Sequence, residues 1–204
     1  MTTLYLVSNN YVANNILYKT DDSLESKREK RPLSIEGEKR ALKLSKEEVL
    51  QDINLIYSSS YSSAIATSKY IAENLELTIN VSNKLNERKI GLLEDKTLRF
   101  FKEQQEHDFN YRLNGGESIN STKTRITSAL KEIIKDNEDM NILVVTHTTA
   151  IISYLLNYCE KGYNLDDRLI LNYDENVIID GTTNGLDIFK LEFENETILN
   201  IKKI

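Results

Sequence analysis

The apolar positions of this chain follow two rhythms. Short, nearly continuous blocks at Thr3–Val7, Ile53–Tyr57, Leu77–Val81 and Asn141–Val145 have the length and β-branched content of buried strands. Asn141–Val145 reads NILVV, which needs both faces covered, as a central parallel strand has. Between these blocks the spacing changes to three and four. Ser34 caps a predicted helix running to about Val49, with Glu36 and Glu38 in its first turn. A second helix, from about Ser60 to Leu75, places Ala64, Ile65, Ser68, Ile71, Ala72 and Leu75 on one face. A third runs from about Ser118 to Lys135 on Ile119, Thr122, Ile126, Ala129, Leu130 and Ile133, and a largely apolar fourth covers Ala150–Tyr158. Strands follow near Asn176–Ile179, Leu186–Phe193 and Thr197–Lys202, the last two joined by a turn at Glu194–Glu196.

Two stretches fit neither rhythm. Asp21–Arg31, DDSLESKREKR, is dense in charge and aperiodic, and reads as an exposed loop. Residues 83–114 look like an insertion, with one helical piece around Leu98–Glu106 and a Gly115–Gly116 turn after it. Strands alternating with helices predict a three-layer α/β/α sandwich with a mostly parallel central sheet. No repeat or long linker divides residues 1–204, so a single domain is expected.

Composition narrows the function. The net charge of −6 gives no basic surface for nucleic acid, and no apolar run approaches the roughly 20 residues that span a bilayer. The lone Cys159 and the absence of a leader-like start predict a cytoplasmic setting. There is no Cys/His ligand set and no phosphate-cradling glycine loop, so neither metal nor cofactor is expected.

In an open parallel sheet the ligand crevice lies beyond the carboxyl ends of the strands. Three such ends matter here: Ser8–Asn9–Asn10, Ser58–Ser63 and Thr146–Thr149, with the Glu87 loop nearby. Of these residues only Glu87 and His147 are suited to proton transfer. Taken singly, His147 reads as a hydrogen-bonded structural histidine and Glu87 as a solvated loop carboxylate. His107 is expected on the surface, and Arg125 in support of its helix. Lys84, Arg88 and Lys89 flank Glu87 and offer local positive charge.

The order of segments resembles the histidine phosphatase superfamily, the phosphoglycerate mutase-like proteins. LYLVSNN stands where that family has a strand followed by Arg-His-Gly. RPLSIEGEKRALKLS, IYSSSYSSAIATSKYIAENL, LNERKIGLLE, GGESINSTKTRI and NILVVTHTTAI resemble its later motifs, in order, from about Leu4 to Leu156. The resemblance implies phosphoryl transfer through a phosphohistidine, with two arginines and a second histidine on the phosphate and a carboxylic acid protonating the leaving oxygen. It also implies a depleted site. The first arginine falls on Ser8, the nucleophilic histidine on Asn9, the glycine on Asn10 and the second arginine on Ser63. Glu87 and His147 occupy the acid and second-histidine positions, and Thr148 replaces a glycine.

An amide nitrogen is no phosphoryl acceptor, because its lone pair is delocalised. Serines bring neither the charge nor the bidentate fork of arginine. The expectation is therefore a protein that has lost phosphatase activity and works by binding a small polar or phosphorylated ligand, or a protein partner. The alternative is a divergent phosphomonoesterase using His147 and Glu87. A third expectation is a structural member of an assembly, including a homodimer.

Overall fold

Strands β1 (Thr2–Ser8) and β4 (Asn141–Thr146) pair in parallel from Thr3 opposite Asn141 to Ser8 opposite Thr146. Alternation along them feeds two separate cores. Leu4, Leu6, Ile142 and Val144 pack on one face of the sheet, and Tyr5, Val7, Leu143 and Val145 on the other. That two-sided burial explains why neither strand shows a polar alternation in its sequence. The computed structural model describes residues 1–9, 11–14, 22–182 and 185–204. Asn10 lies outside the described residues.

The other strands of the main sheet are β2 (Leu55–Ser59), β3 (Ile79–Ser82), β8 (Ile188–Glu194) and β9 (Thr197–Lys203), in the order β3-β2-β4-β1-β8-β9. The first four are parallel and the last two antiparallel. Helices α2 (Ile35–Leu44) and α3 (Ser62–Leu75) cover one face; α5 (Ile119–Asp136) and α6 (Thr148–Leu155) cover the other. The α/β/α sandwich expected from the alternation is the fold observed.

Several boundaries differ from the sequence reading. The loop expected at Asp21–Arg31 contains a helix, α1 (Leu24–Glu29), capped by Ser23 and closed by an Arg28–Glu25 pair at one-turn spacing. Its charges are used in local contacts, which a hydropathy pattern does not register. Helix α2 stops at Leu44 and not near Val49, because Ser45 caps its end and a 3-10 turn follows at Glu48–Leu50. Helix α6 begins two residues earlier than expected, at Thr148, and ends at Leu155; the N–H groups of Asn157, Tyr158 and Cys159 bond back into its last turn. Two strands went unread, β5 (Glu160–Tyr163) and β6 (Leu169–Tyr173). With β7 (Asn176–Ile179) they form a second, antiparallel sheet. β5 is EKGY, largely exposed and without an apolar rhythm.

The insertion-like region packs on its own small core of Ile90, Phe101 and Leu113, with Phe101 supplied by α4 (Leu98–His107). It is tied to the domain by a close backbone crossing. A Cβ on Gly116 would lie 2.3 Å from the Ile90 carbonyl oxygen, and one on Gly91, at φ +83°, 2.5 Å from that of Asn114. Only glycine allows the two segments to approach this closely.

Candidate functional site

Beyond the ends of β1, β2 and β4 lies a cleft of about 300 Å³. His147 follows β4 directly and occupies the N-cap position of α6 in extended conformation, 6% exposed. Its Nε2 is 2.7 Å from Ser59 Oγ, and the Tyr61 ring lies against it at 4.6 Å. The Tyr61 N–H donates to Ser59 Oγ, so the hydroxyl proton is available to Nε2 and the ring proton is assigned to Nδ1. Burial lowers the His147 pKa to about 4, although the Glu87 carboxylate opposes the shift. The ring is therefore neutral at pH 7. Ser59 is fully buried and orients the imidazole; it does not face a ligand.

Glu87 is not the solvated carboxylate its sequence context suggests. Oε1 accepts from the N–H groups of Arg88 at 2.8 Å and Ala150 at 3.1 Å, and Oε2 from that of Thr149 at 3.1 Å. The carboxylate thus satisfies the first turn of α6, where the helix dipole favours an anion. Burial alone would raise its pKa. The neighbouring His147 and Arg28, with the Arg88 N–H, outweigh that and hold it below the ordinary carboxylate value. Glu87 is an anion in this state, with three N–H donors on its two oxygens.

Arg125 proves to support the Glu87 loop as well as its helix. Its Nε and one terminal nitrogen fork onto Glu117 at 2.7 and 2.8 Å, and the other terminal nitrogen donates to the carbonyls of Lys84 and Asn86, both at 2.9 Å. Among the expected pocket residues, Asn9, Ser63 and Thr148 line the cleft with Glu87 and His147. Ser8 does not. Its Oγ accepts the Asp187 N–H at 3.1 Å, and it lies beside a separate small cavity. A short side chain at the strand end was taken up by the backbone of the neighbouring chain segment. His107 is on the surface, stacked on Tyr163 and paired with Asp167.

The sequence reading missed where the positive charge comes from. Arg28, Arg31, Arg88 and Lys102 all line this cleft. Arg28 donates to Glu25 Oε2 at 2.9 Å and to the Arg88 carbonyl at 3.0 Å, while Glu25 Oε1 accepts the Ile90 N–H at 2.6 Å. These contacts dock α1 against the Glu87 loop. Arg88 is 4% exposed, and its guanidinium stands over the Phe101 ring at 4.6 Å. Three buried nitrogens of the lining residues have no acceptor among the described residues: Asn9 Nδ2, Arg31 Nε and Arg88 Nε. Arg88 had been read only as a flanking charge. Arg28 and Arg31, in the charge run assigned to solvent, had no signal beyond a spacing of three residues, and Lys102 had none. Among the described residues no group of side chains could hold a metal ion, and no helix is long and apolar enough to cross a membrane.

Comparison with known proteins places this geometry. The profile of the histidine phosphatase superfamily (branch 1) matches residues 19–192. Phosphoserine phosphatase 1 of Hydrogenobacter thermophilus is 27% identical over 127 residues, which are 58% of this chain and 60% of that protein. The mycobacterial glucosyl-3-phosphoglycerate phosphatase superposes with a TM-score of 0.66 at 17% identity, covering 99% of this chain and 96% of its own. A mutant phosphoserine phosphatase of Entamoeba histolytica, solved with phosphoserine, gives 0.66 at 16%, covering 98% and 96%. At these identities the structural matches show the shared fold.

Proposed function

This chain belongs to the histidine phosphatase superfamily, and from that premise we propose that its cleft receives the phosphate group of a phosphomonoester without forming a phosphohistidine. The observation that carries the proposal is that Arg28, Arg31, Arg88 and Lys102 line one cleft, and that Asn9 Nδ2, Arg31 Nε and Arg88 Nε of its lining residues have no acceptor among the described residues. A buried donor without an acceptor costs about 1–3 kcal/mol, and more when charged. A ligand that only accepts, with several anionic oxygens in a tetrahedral array, is the chemical complement of such a donor-rich lining. The related phosphatases act on such esters by their printed names. The donors lie within a cleft and not on an open face, which favours a small molecule over a protein partner.

The absence of phosphohistidine chemistry in this reading rests on Asn9. An amide stands where the family's nucleophile would be, and the neutral His147 is held by Ser59. A second reading, hydrolysis by another route, is favoured by His147 and Glu87 both standing in the cleft and by the activity in the relatives' names. In that route His147 first frees a ring nitrogen by releasing the Ser59 hydroxyl; water then attacks phosphorus, His147 takes the water's proton, the bond to the leaving oxygen breaks, and that oxygen gains a proton from Glu87 or solvent. Glu87 would first have to take up a proton, which its lowered pKa and its three N–H donors oppose.

Phosphate release from a panel of phosphomonoesters, measured beside their binding, separates the two readings. Binding without release supports the receptor. Release abolished by both His147→Ala and Glu87→Ala, with both variants folded, overturns it in favour of the hydrolase.

A further inference from the structure

A second chamber, of about 200 Å³, opens beside the cationic cleft. Arg88, Lys102, Thr148 and Thr149 line both, so these four residues form the passage from one to the other. The linings differ in chemistry. The first chamber collects Asn9, Arg28, Arg31, Glu87 and His147; the second is walled mainly by Phe109, Ile119, Ile152, Leu169 and Ile179, with Gln105, Glu106 and Arg168 also in its lining. These apolar side chains come from the segment after α4, the start of α5, α6, and β6 and β7 of the small sheet. Ile119 and Ile179 are buried and continuous with fixed structure, so the chamber is walled by the fold itself.

We propose that this chamber holds the body of the ligand, and that the body is apolar and ring-sized: the protein takes monophosphates of aromatic or compact branched-aliphatic alcohols in preference to those of polyols or amino acids. This rests on the cationic cleft being the phosphate site. A phosphate held at Arg88 stands at the boundary that Thr148 and Thr149, in the first turn of α6, line with it, and Ile152 lies one turn further along that helix. A polyol or an amino-acid head placed there would lose water against methyl groups and a phenyl ring, a loss that Gln105, Glu106 and Arg168 of the same lining offset only in part. A ring gains the usual apolar transfer energy. The ligands in the relatives' names, phosphoserine and a glucosyl phosphoglycerate, have polar bodies, so the ligand class proposed here differs from those names.

The test is calorimetric binding of three probes to the full chain: inorganic phosphate, methylphosphonate and 1-naphthylmethylphosphonate. The phosphonates share an anionic head, cannot be hydrolysed at the P–C bond, and differ in body. Burying on the order of 100 Å² of ring predicts that the naphthyl compound binds roughly 50-fold more tightly than methylphosphonate. Ile152→Gln is expected to remove most of that advantage while phosphate affinity stays within about twofold of native. Phe109→Ala, at a half-exposed ring, checks the same wall without disturbing α6. Equal affinities for the two phosphonates, with phosphate still bound, overturn the inference and leave the phosphate site standing. Failure of inorganic phosphate to bind overturns both.

Discussion

Replacing Arg88 by methionine separates a ligand-binding arginine from a structural one. In the folded chain Arg88 is buried, and its Nε–H has no acceptor among the described residues. Desolvation lowers its pKa, so the charged form is held at a cost that Glu87 only partly offsets. An orphaned buried donor of this kind costs about 1–3 kcal/mol. Against it stand the guanidinium–Phe101 contact, worth about 0.5–2 kcal/mol, and the packing of the side-chain stem, which methionine largely keeps. The backbone N–H that serves Glu87 is untouched. The two sides nearly cancel, so Arg88→Met is expected to unfold within about 4 °C of native without ligand, a change of about 1 kcal/mol for a chain of this size. A buried side chain whose role is packing alone costs about 2–5 kcal/mol on truncation.

With ligand the two proteins diverge. A charge-assisted hydrogen bond contributes about 1.5–3 kcal/mol, so phosphate affinity should fall by about 10- to 100-fold. At phosphate a hundredfold above the native Kd, the native protein gains about 2.7 kcal/mol, while the variant gains only about 0.4–1.4 kcal/mol. The assay is thermal unfolding of both proteins across a phosphate titration. A variant that melts ten degrees low without ligand, yet responds to phosphate as the native protein does, would refute the reasoning and make Arg88 a structural residue.

Three further outcomes follow from the site. The His147 pKa is lowered from 6.5 to about 4, so between those values the unfolded chain holds a proton that the fold refuses. Stability is full above pH 6.5, falls as pH drops to about 4 by a total of about 3 kcal/mol, and for this group levels off below that; denaturant titrations should show the slope in native protein and lose it in His147→Gln. Glu87, whose pKa is lowered, adds a loss of stability below its ordinary 4.5. Glu87→Gln leaves one oxygen for the N–H groups of Arg88, Thr149 and Ala150 and should cost about 1–3 kcal/mol, read from urea midpoints at pH 7. Arg125→Lys loses the fork onto Glu117 and the bonds to the Lys84 and Asn86 carbonyls. It should raise amide exchange across the Glu87 loop, with exchange in β4 unchanged.

The fold was legible because its core is written in local pattern. The two-sided burial of Leu4–Val7 and Asn141–Val145 appears as unbroken apolar runs, and α3 and α5 as spacing of three and four. Strand β5 was illegible because an exposed strand of EKGY gains its structure from pairing with β6, not from a hydrophobic face. In the site, Glu87 and His147 stood out by residue type at strand ends. The cations did not. Arg28 and Arg31 lie in a segment whose charge density resembles solvated surface, and only its tertiary docking, through the Glu25 carboxylate and the Arg88 carbonyl, brings it to the cleft. Ser8 misled in the opposite sense: its position in the motif suggested the pocket, and a hydrogen bond from the Asp187 N–H assigns it elsewhere.

The central claim is that this cleft holds a phosphate ester and leaves it whole. It is tested most directly by titrating phenyl phosphate into the native protein in a calorimeter, then assaying the same sample for free phosphate and phenol. The account predicts saturable one-to-one binding with the ester recovered intact. Stoichiometric or catalytic release of phenol would contradict it, and so would the absence of any binding.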